Sequence, residues 1–144
     1  MLKYNLEMGK YLKEKRELLI FILTIVVYLN SIFNPFIWDD ISLIVENPHI
    51  KNLKFFLDYF KTDIYAKFSN FYRPFQIISY AITYKIFKLN PVGYHLLNIF
   101  LHSFCAVLIF ILLTDIYGEK ISFLVSIIWA IHPINTEAIT YISG

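Results

Sequence analysis

Asp39 and Asp40 stand side by side in FIWDDISLIVENPHI, a few residues beyond LLIFILTIVVYLNSIF, an uncharged apolar run over 18–33. Neighbouring carboxylates at an aromatic edge, here Phe36 and Trp38, repel each other's charge and lose part of their water, which is how a general base is tuned. The other reading is a helix cap, since aspartate caps well and one of the two could start a helix at Ile41. Glu137, in HPINTEAITYISG, has the same two readings: an acid in the first turn of a helix capped by Asn135 or Thr136, or a functional acid at the end of a span. Arg73, in FYRPF, either anchors at an interface or offers its planar fork of donors to phosphate oxygens. His95, Asn98 and His102 follow one another at helical spacing and share one face, a polar stripe suited to hydrogen bonds between helices.

Other chemistries lack their residues. HExxH, a nucleophile elbow and a glycine-rich phosphate loop are absent, and 4 glycines in 144 residues leave little for a nucleotide cradle. No metal is indicated by ligand spacing. The net charge of +2 comes without a basic stripe interleaved with stacking aromatics, so a nucleic-acid partner is set aside. Cys105 is the single cysteine and has no partner in the chain for a disulfide.

The elements that carry these residues belong in a bilayer. With 58% hydrophobic, 19% aromatic and 17% charged residues, the chain is more apolar than a soluble domain, and its mean hydropathy is +0.57. The composition predicts an all-α polytopic membrane protein with about three transmembrane helices, over 18–34, 94–115 and 119–134, and a membrane partner in lipid. The basic segment 1–17, with Lys3, Lys10, Lys13, Lys15 and Arg16, holds the N-terminus in the cytoplasm. No small-residue cleavage site follows the first run, so it reads as an uncleaved anchor. The loop 35–93, with Asp39 and Asp40, is then extracytoplasmic.

Two amphipathic helices are expected along that loop. NLKFFLDYF, 52–60, lays Leu53, Phe56, Leu57 and Phe60 on one face. PFQIISYAITYKIFK, 74–88, starts with a proline suited to a first helical turn. As a helix it spans only ~22 Å and carries Gln76, Lys85 and Lys88, so it suits the interface better than the ~30 Å core. If it lies flat, Glu137 returns to the side of Asp39 and Asp40; if it crosses, the three acids are separated. Charge does not decide this, because 34–94 holds 7 Lys and Arg, uncomfortable outside unless the loop escapes the positive-inside tendency.

FIWDDISLIVENPHI, FYRPFQIISYAITYKIF followed by LNPVGYHLLNIFLH, and IIWAIHPINTEAITYISG resemble, in order and spacing, the N-terminal membrane region of the transmembrane and tetratricopeptide-repeat O-mannosyltransferases and their prokaryotic relatives. That resemblance covers 30–144. It implies the GT-C class of glycosyltransferases, a partial GT-C fold, and transfer of a mannose-like sugar from a polyprenyl phosphate to a protein Ser or Thr hydroxyl, or another acceptor, at the extracytoplasmic face. It implies an inner-membrane or endoplasmic-reticulum location and no cofactor beyond the lipid-linked sugar; a divalent metal is compatible with it but not indicated. By resemblance, Asp39 is the general base, Asp40 orients it or the acceptor, and Glu137 completes an acidic wall. Arg73 takes the donor phosphate, with Tyr72 and His102 as polar neighbours.

The family continues beyond the position of Gly144 into more spans and a repeat array. The sequence therefore reads as an N-terminal fragment, inactive alone. A non-catalytic scaffold or transporter piece is the alternative, in which the acids pair or gate. A transporter would put ionisable groups at mid-span, whereas these acids gather at span ends.

Overall fold

The computed structural model describes residues 2–52, 54, 58–60 and 72–144, with side chains from Tyr11 on except at Asp58. Helix α1, Leu2–Tyr28, tightens into a 3-10 turn at Leu29–Phe33; α2 is Pro74–Phe87, α3 Pro91–Tyr117, α4 Glu119–Ile131 and α5 Thr136–Thr140. Among the described residues every regular element is helical. Tyr11–Phe33 and Pro91–Tyr117 are long and apolar enough to cross a membrane, and Glu119–Ile131 with Pro133–Thr140 makes a third candidate, bent by 47°. The fold is an all-α polytopic membrane fold.

The basic N-terminal stretch is continuous with the first span rather than a separate tail, since α1 starts at Leu2. No proline interrupts it, and its lysines and glutamates are good helix formers.

Small residues bring the spanning helices together. Ser122, Ser126 and Ala130 line the buried face of α4 at intervals of one turn, and Ser103 and Ala106 do the same on α3. Ile20 of α1 and Phe110 of α3 fill the seam against Ala106 and Ala130. Leu18, Leu112, Leu124 and Ile128 point outward, an apolar coat that lipid rather than water would solvate. Three of the seam's hydroxyls bond within their own helices, Thr24 to the Ile20 carbonyl at 2.7 Å, Ser103 to that of Ile99 at 2.7 Å and Ser122 to that of Gly118 at 2.8 Å. An apolar medium offers them no other partner.

Gly118, at φ 75°, turns α3 into α4 in one residue. Next to it Glu119 pairs with Arg16 of α1, tying the basic end of the first span to the start of the third. At the far end α4 stops before Pro133, because His132 must take extended backbone (φ −65°, ψ 132°) ahead of a proline.

A second core lies beyond the spans. Ile77, Tyr80 and Ala81 of α2 pack with Ile44, Ile50, Tyr59, Tyr94 and Ile142. Helix α2 has 14 residues, ~21 Å. It packs on loop segments, on Tyr94 of α3 and on Ile142. Asn90 caps α3 by accepting from the Val92 N–H at 3.1 Å. A Cβ at Gly93 would come within 2.2 Å of Phe87 Cγ, so glycine is what lets α2 fold back onto α3. The expected first juxtamembrane helix, 52–60, lies largely outside the described residues; of it, Asp58–Phe60 is a 3-10 turn.

Candidate functional site

The paired aspartates have opposite environments. Asp40 is 1% exposed, and both its oxygens accept backbone hydrogen bonds: Oδ2 from Ile37 N–H at 3.1 Å and Oδ1 from Ser143 N–H at 3.0 Å. The first closes a local turn, while the second ties residues 103 positions apart. Asp39 is exposed, and among the described residues it is its backbone that is engaged: its N–H donates to the Tyr141 hydroxyl at 3.1 Å, and its carbonyl accepts from Ser42 Oγ at 3.1 Å. A one-turn π-helix, Ile41–Val45, follows, buried by Ile44.

Trp38 sets the turn. Its φ of 47° is unusual for a bulky residue, and the indole stands 79% exposed with its ring edge-to-face on Tyr141, centroids 5.8 Å apart. Holding a tryptophan there costs ~1–3 kcal/mol, sustained by the fixed bonds on either side, at Ile37 and Asp39. Tyr141 is the bridge that composition alone leaves anonymous. Its hydroxyl receives Asp39, its ring meets Trp38, and its N–H donates to the Glu137 carbonyl at 3.1 Å.

Glu137 lies exposed in the first turn of α5, a helix that packs Ile139 on Tyr28 and Ile99, and the contacts to the aspartate turn come from Tyr141 and Ser143 just after it. Helix α2 reaches the same segment: Gln76 Nε2 approaches the Ser143 carbonyl at 3.4 Å, and the Tyr80 hydroxyl donates to that of Ile142 at 3.3 Å. Arg73 is exposed just ahead of α2, one turn before Gln76. Tyr72 donates its hydroxyl to the Phe60 carbonyl at 2.9 Å. Asp39, Asp40 and the first turns of α2 thus meet around 141–143, and Glu137 is joined to that segment through its backbone carbonyl. Among the described residues no three His, Cys, Asp or Glu side chains come together as a metal cage.

His102 is placed apart from this group. Its Nε2 donates to the Ala130 carbonyl at 2.9 Å, and its ring stacks on Trp129 at 4.8 Å. The Pro133 break frees carbonyls at the end of α4, and His102 satisfies one while Asn135 Nδ2 bonds that of Trp129 at 2.7 Å. The other two residues of the α3 stripe also hold backbone: His95 donates to the Asn34 carbonyl at 3.1 Å and Asn98 to that of Ile142 at 3.2 Å. His102→Ala is expected to destabilise the chain by about 1–3 kcal/mol by stranding a carbonyl, with partial rescue in His102→Gln. Thermal unfolding in detergent reads both.

Comparison with curated proteins gives consistent relatives. Protein O-mannosyl-transferase TMTC3 of Homo sapiens is 30% identical over 123 residues, covering 81% of this chain and 13% of that protein. Protein O-mannosyl-transferase F38B6.6 of Caenorhabditis elegans is 34% identical over 140 residues, 90% of this chain and 20% of that protein. Protein O-mannosyl-transferase TMTC2 of Homo sapiens is 34% identical over 142 residues, 89% and 16% respectively. The chain therefore spans a fifth or less of the length of these relatives. No family model and no solved structure matches it. On this identity and extent the chain belongs to the transmembrane and tetratricopeptide-repeat O-mannosyltransferase family.

Proposed function

We propose that this chain supplies the acidic rim of a membrane glycosyltransferase that moves a mannose-like sugar from a polyprenyl phosphate to a protein Ser or Thr hydroxyl at the extracytoplasmic face. The observation that carries the reading is the division of labour within the pair: a buried Asp40 locked on backbone amides beside an exposed Asp39 whose carboxylate is left to face a substrate. Asp39 takes the acceptor proton as the hydroxyl oxygen forms its bond to the anomeric carbon. The bond from that carbon to the phosphate oxygen breaks, and the lipid phosphate leaves with the electron pair. Arg73 at the start of α2 offsets the charge on the leaving phosphate, with Tyr72 beside it in sequence. Asp40 acts through Asp39 by fixing the turn, and Glu137 walls the acceptor side. His102, whose Nε2 is held by the Ala130 carbonyl, braces the end of α4.

Turnover is tested by transfer of radiolabelled mannose from polyprenyl-phosphate mannose to a Ser/Thr peptide, using membranes that express the longest reading frame containing this chain. No transfer above membranes lacking the protein would reject the reading.

Topology is tested separately. With Lys and Arg around α1 retained in the cytoplasm, cysteines introduced by Asp39→Cys and Thr136→Cys in a Cys105→Ala background are expected to react alike with an impermeant thiol reagent added outside sealed cells. Reaction at position 39 alone would divide the acids between two sides and end the shared site.

A further inference from the structure

Of the lysines and arginines that load the loop after α1, Lys51, Lys85 and Lys88 line one pocket. This pocket, about 300 Å³, lies between the 3-10 turn His49–Lys51 and the second half of α2. Its apolar floor is Ile50 and Ala81, both buried. Asn52 and Tyr84 complete the polar lining, and Asn52 Oδ1 already accepts from the Lys54 N–H at 3.1 Å, which leaves the amide's donors for another partner. None of the three ammonium groups has a carboxylate partner among the described residues; Lys88 Nζ rests 5.3 Å from the Tyr84 ring centroid.

Lys88 carries a second, independent signal. It sits at φ 55°, ψ −131°, where glycine goes without strain and a lysine does not. The backbone is pinned there from both sides, its N–H on the Tyr84 carbonyl at 2.9 Å and its carbonyl on the buried Tyr94 hydroxyl at 2.9 Å. Glycine would serve that backbone better, so what lysine adds at this position is its charge. The dipole of α2 accounts for Lys85 near a helix C-terminus. It accounts neither for Lys51, on another element, nor for a strained Lys88.

We infer that the Lys51, Lys85 and Lys88 pocket is a binding site for a phosphate-type dianion, supplied either by an anionic lipid headgroup or by a soluble diphosphate. Three like charges around one cavity repel one another, and a multiply charged anion replaces that repulsion with charge-assisted hydrogen bonds. The site is distinct from the acidic rim and does not depend on the proposed transferase activity. Arg73 lies at the opposite end of α2, fifteen residues or ~22 Å away.

Calorimetric titration of the 144-residue chain in neutral detergent decides it. The probes are dihexanoyl phosphatidic acid and inorganic pyrophosphate, with dihexanoyl phosphatidylcholine as control. Saturable binding of phosphatidic acid alone identifies a lipid headgroup; binding of pyrophosphate as well identifies the phosphate itself. Lys51→Ala and Lys85→Ala are each expected to weaken binding about tenfold. Lys88→Gly is expected to weaken it equally while raising the melting temperature, so its loss of binding cannot come from unfolding. Neither probe binding more tightly than the control, or Lys88→Gly binding as the parent does, would overturn the site.

Discussion

Asp39→Asn is expected to lower mannosyl transfer by roughly 10²- to 10⁴-fold, the usual cost of losing a general base, while leaving unfolding of the chain unchanged. Asparagine keeps the size and hydrogen-bonding capacity of aspartate and removes its proton affinity. The folded state loses nothing by the change, because the bonds that Asp39 makes run through its backbone N–H and carbonyl and not its carboxylate. Donor-lipid binding is expected to survive, since the phosphate is assigned to Arg73; Arg73→Ala should weaken donor binding instead. Turnover and donor binding measured side by side separate the two. Near-parental turnover in Asp39→Asn would remove the base from the mechanism, even if the protein still transferred sugar.

At the neighbouring position the order of effects reverses. Asp40→Ala strips two backbone amides of their acceptor in a buried place, and hydrogen bonds to a charged group are worth ~1.5–3 kcal/mol each, so the expected loss of stability is about 3–6 kcal/mol. Asp40→Asn keeps one acceptor oxygen but turns an NH₂ donor toward another donor, and should lose at least half as much. Denaturant unfolding in detergent reads the loss, and limited proteolysis at 141–144 reads whether the end of the chain has come undone. Transfer also falls in these variants, but in proportion to the folded fraction. A stable Asp40→Ala whose last residues remain protected would show that the clasp does not hold the rim together.

The sequence made the spans visible and left the rim half legible. Long uncharged runs and the halt at Gly118 are local facts, so α1, α3 and the turn into α4 follow from composition and one glycine. The Pro133 bend is local too, written in a His-Pro pair. The stripe His95, Asn98, His102 could be read as one face, yet its partners, the carbonyls of Asn34, Ile142 and Ala130, could not, because no side-chain pattern marks a backbone acceptor. The same holds for Asp39 and Asp40. In sequence they are interchangeable, and what divides them is a backbone N–H at Ser143 that only the folded chain brings near. Tyr141, four residues after Glu137, had the spacing to share its helical turn, but its grip on Asp39 and Trp38 depends on a contact across the whole fold.

The bond between Asp40 and Ser143 also has a history within each molecule. At ~5–20 residues per second of synthesis, the amide that receives Asp40 is made roughly 5 to 20 s after the carboxylate itself. Through that interval Asp40 lacks one of its two backbone donors, while α2, α3 and α4 are being made. The clasp between Asp40 and Ser143 can therefore close only after the helices that lie between its two ends have been made.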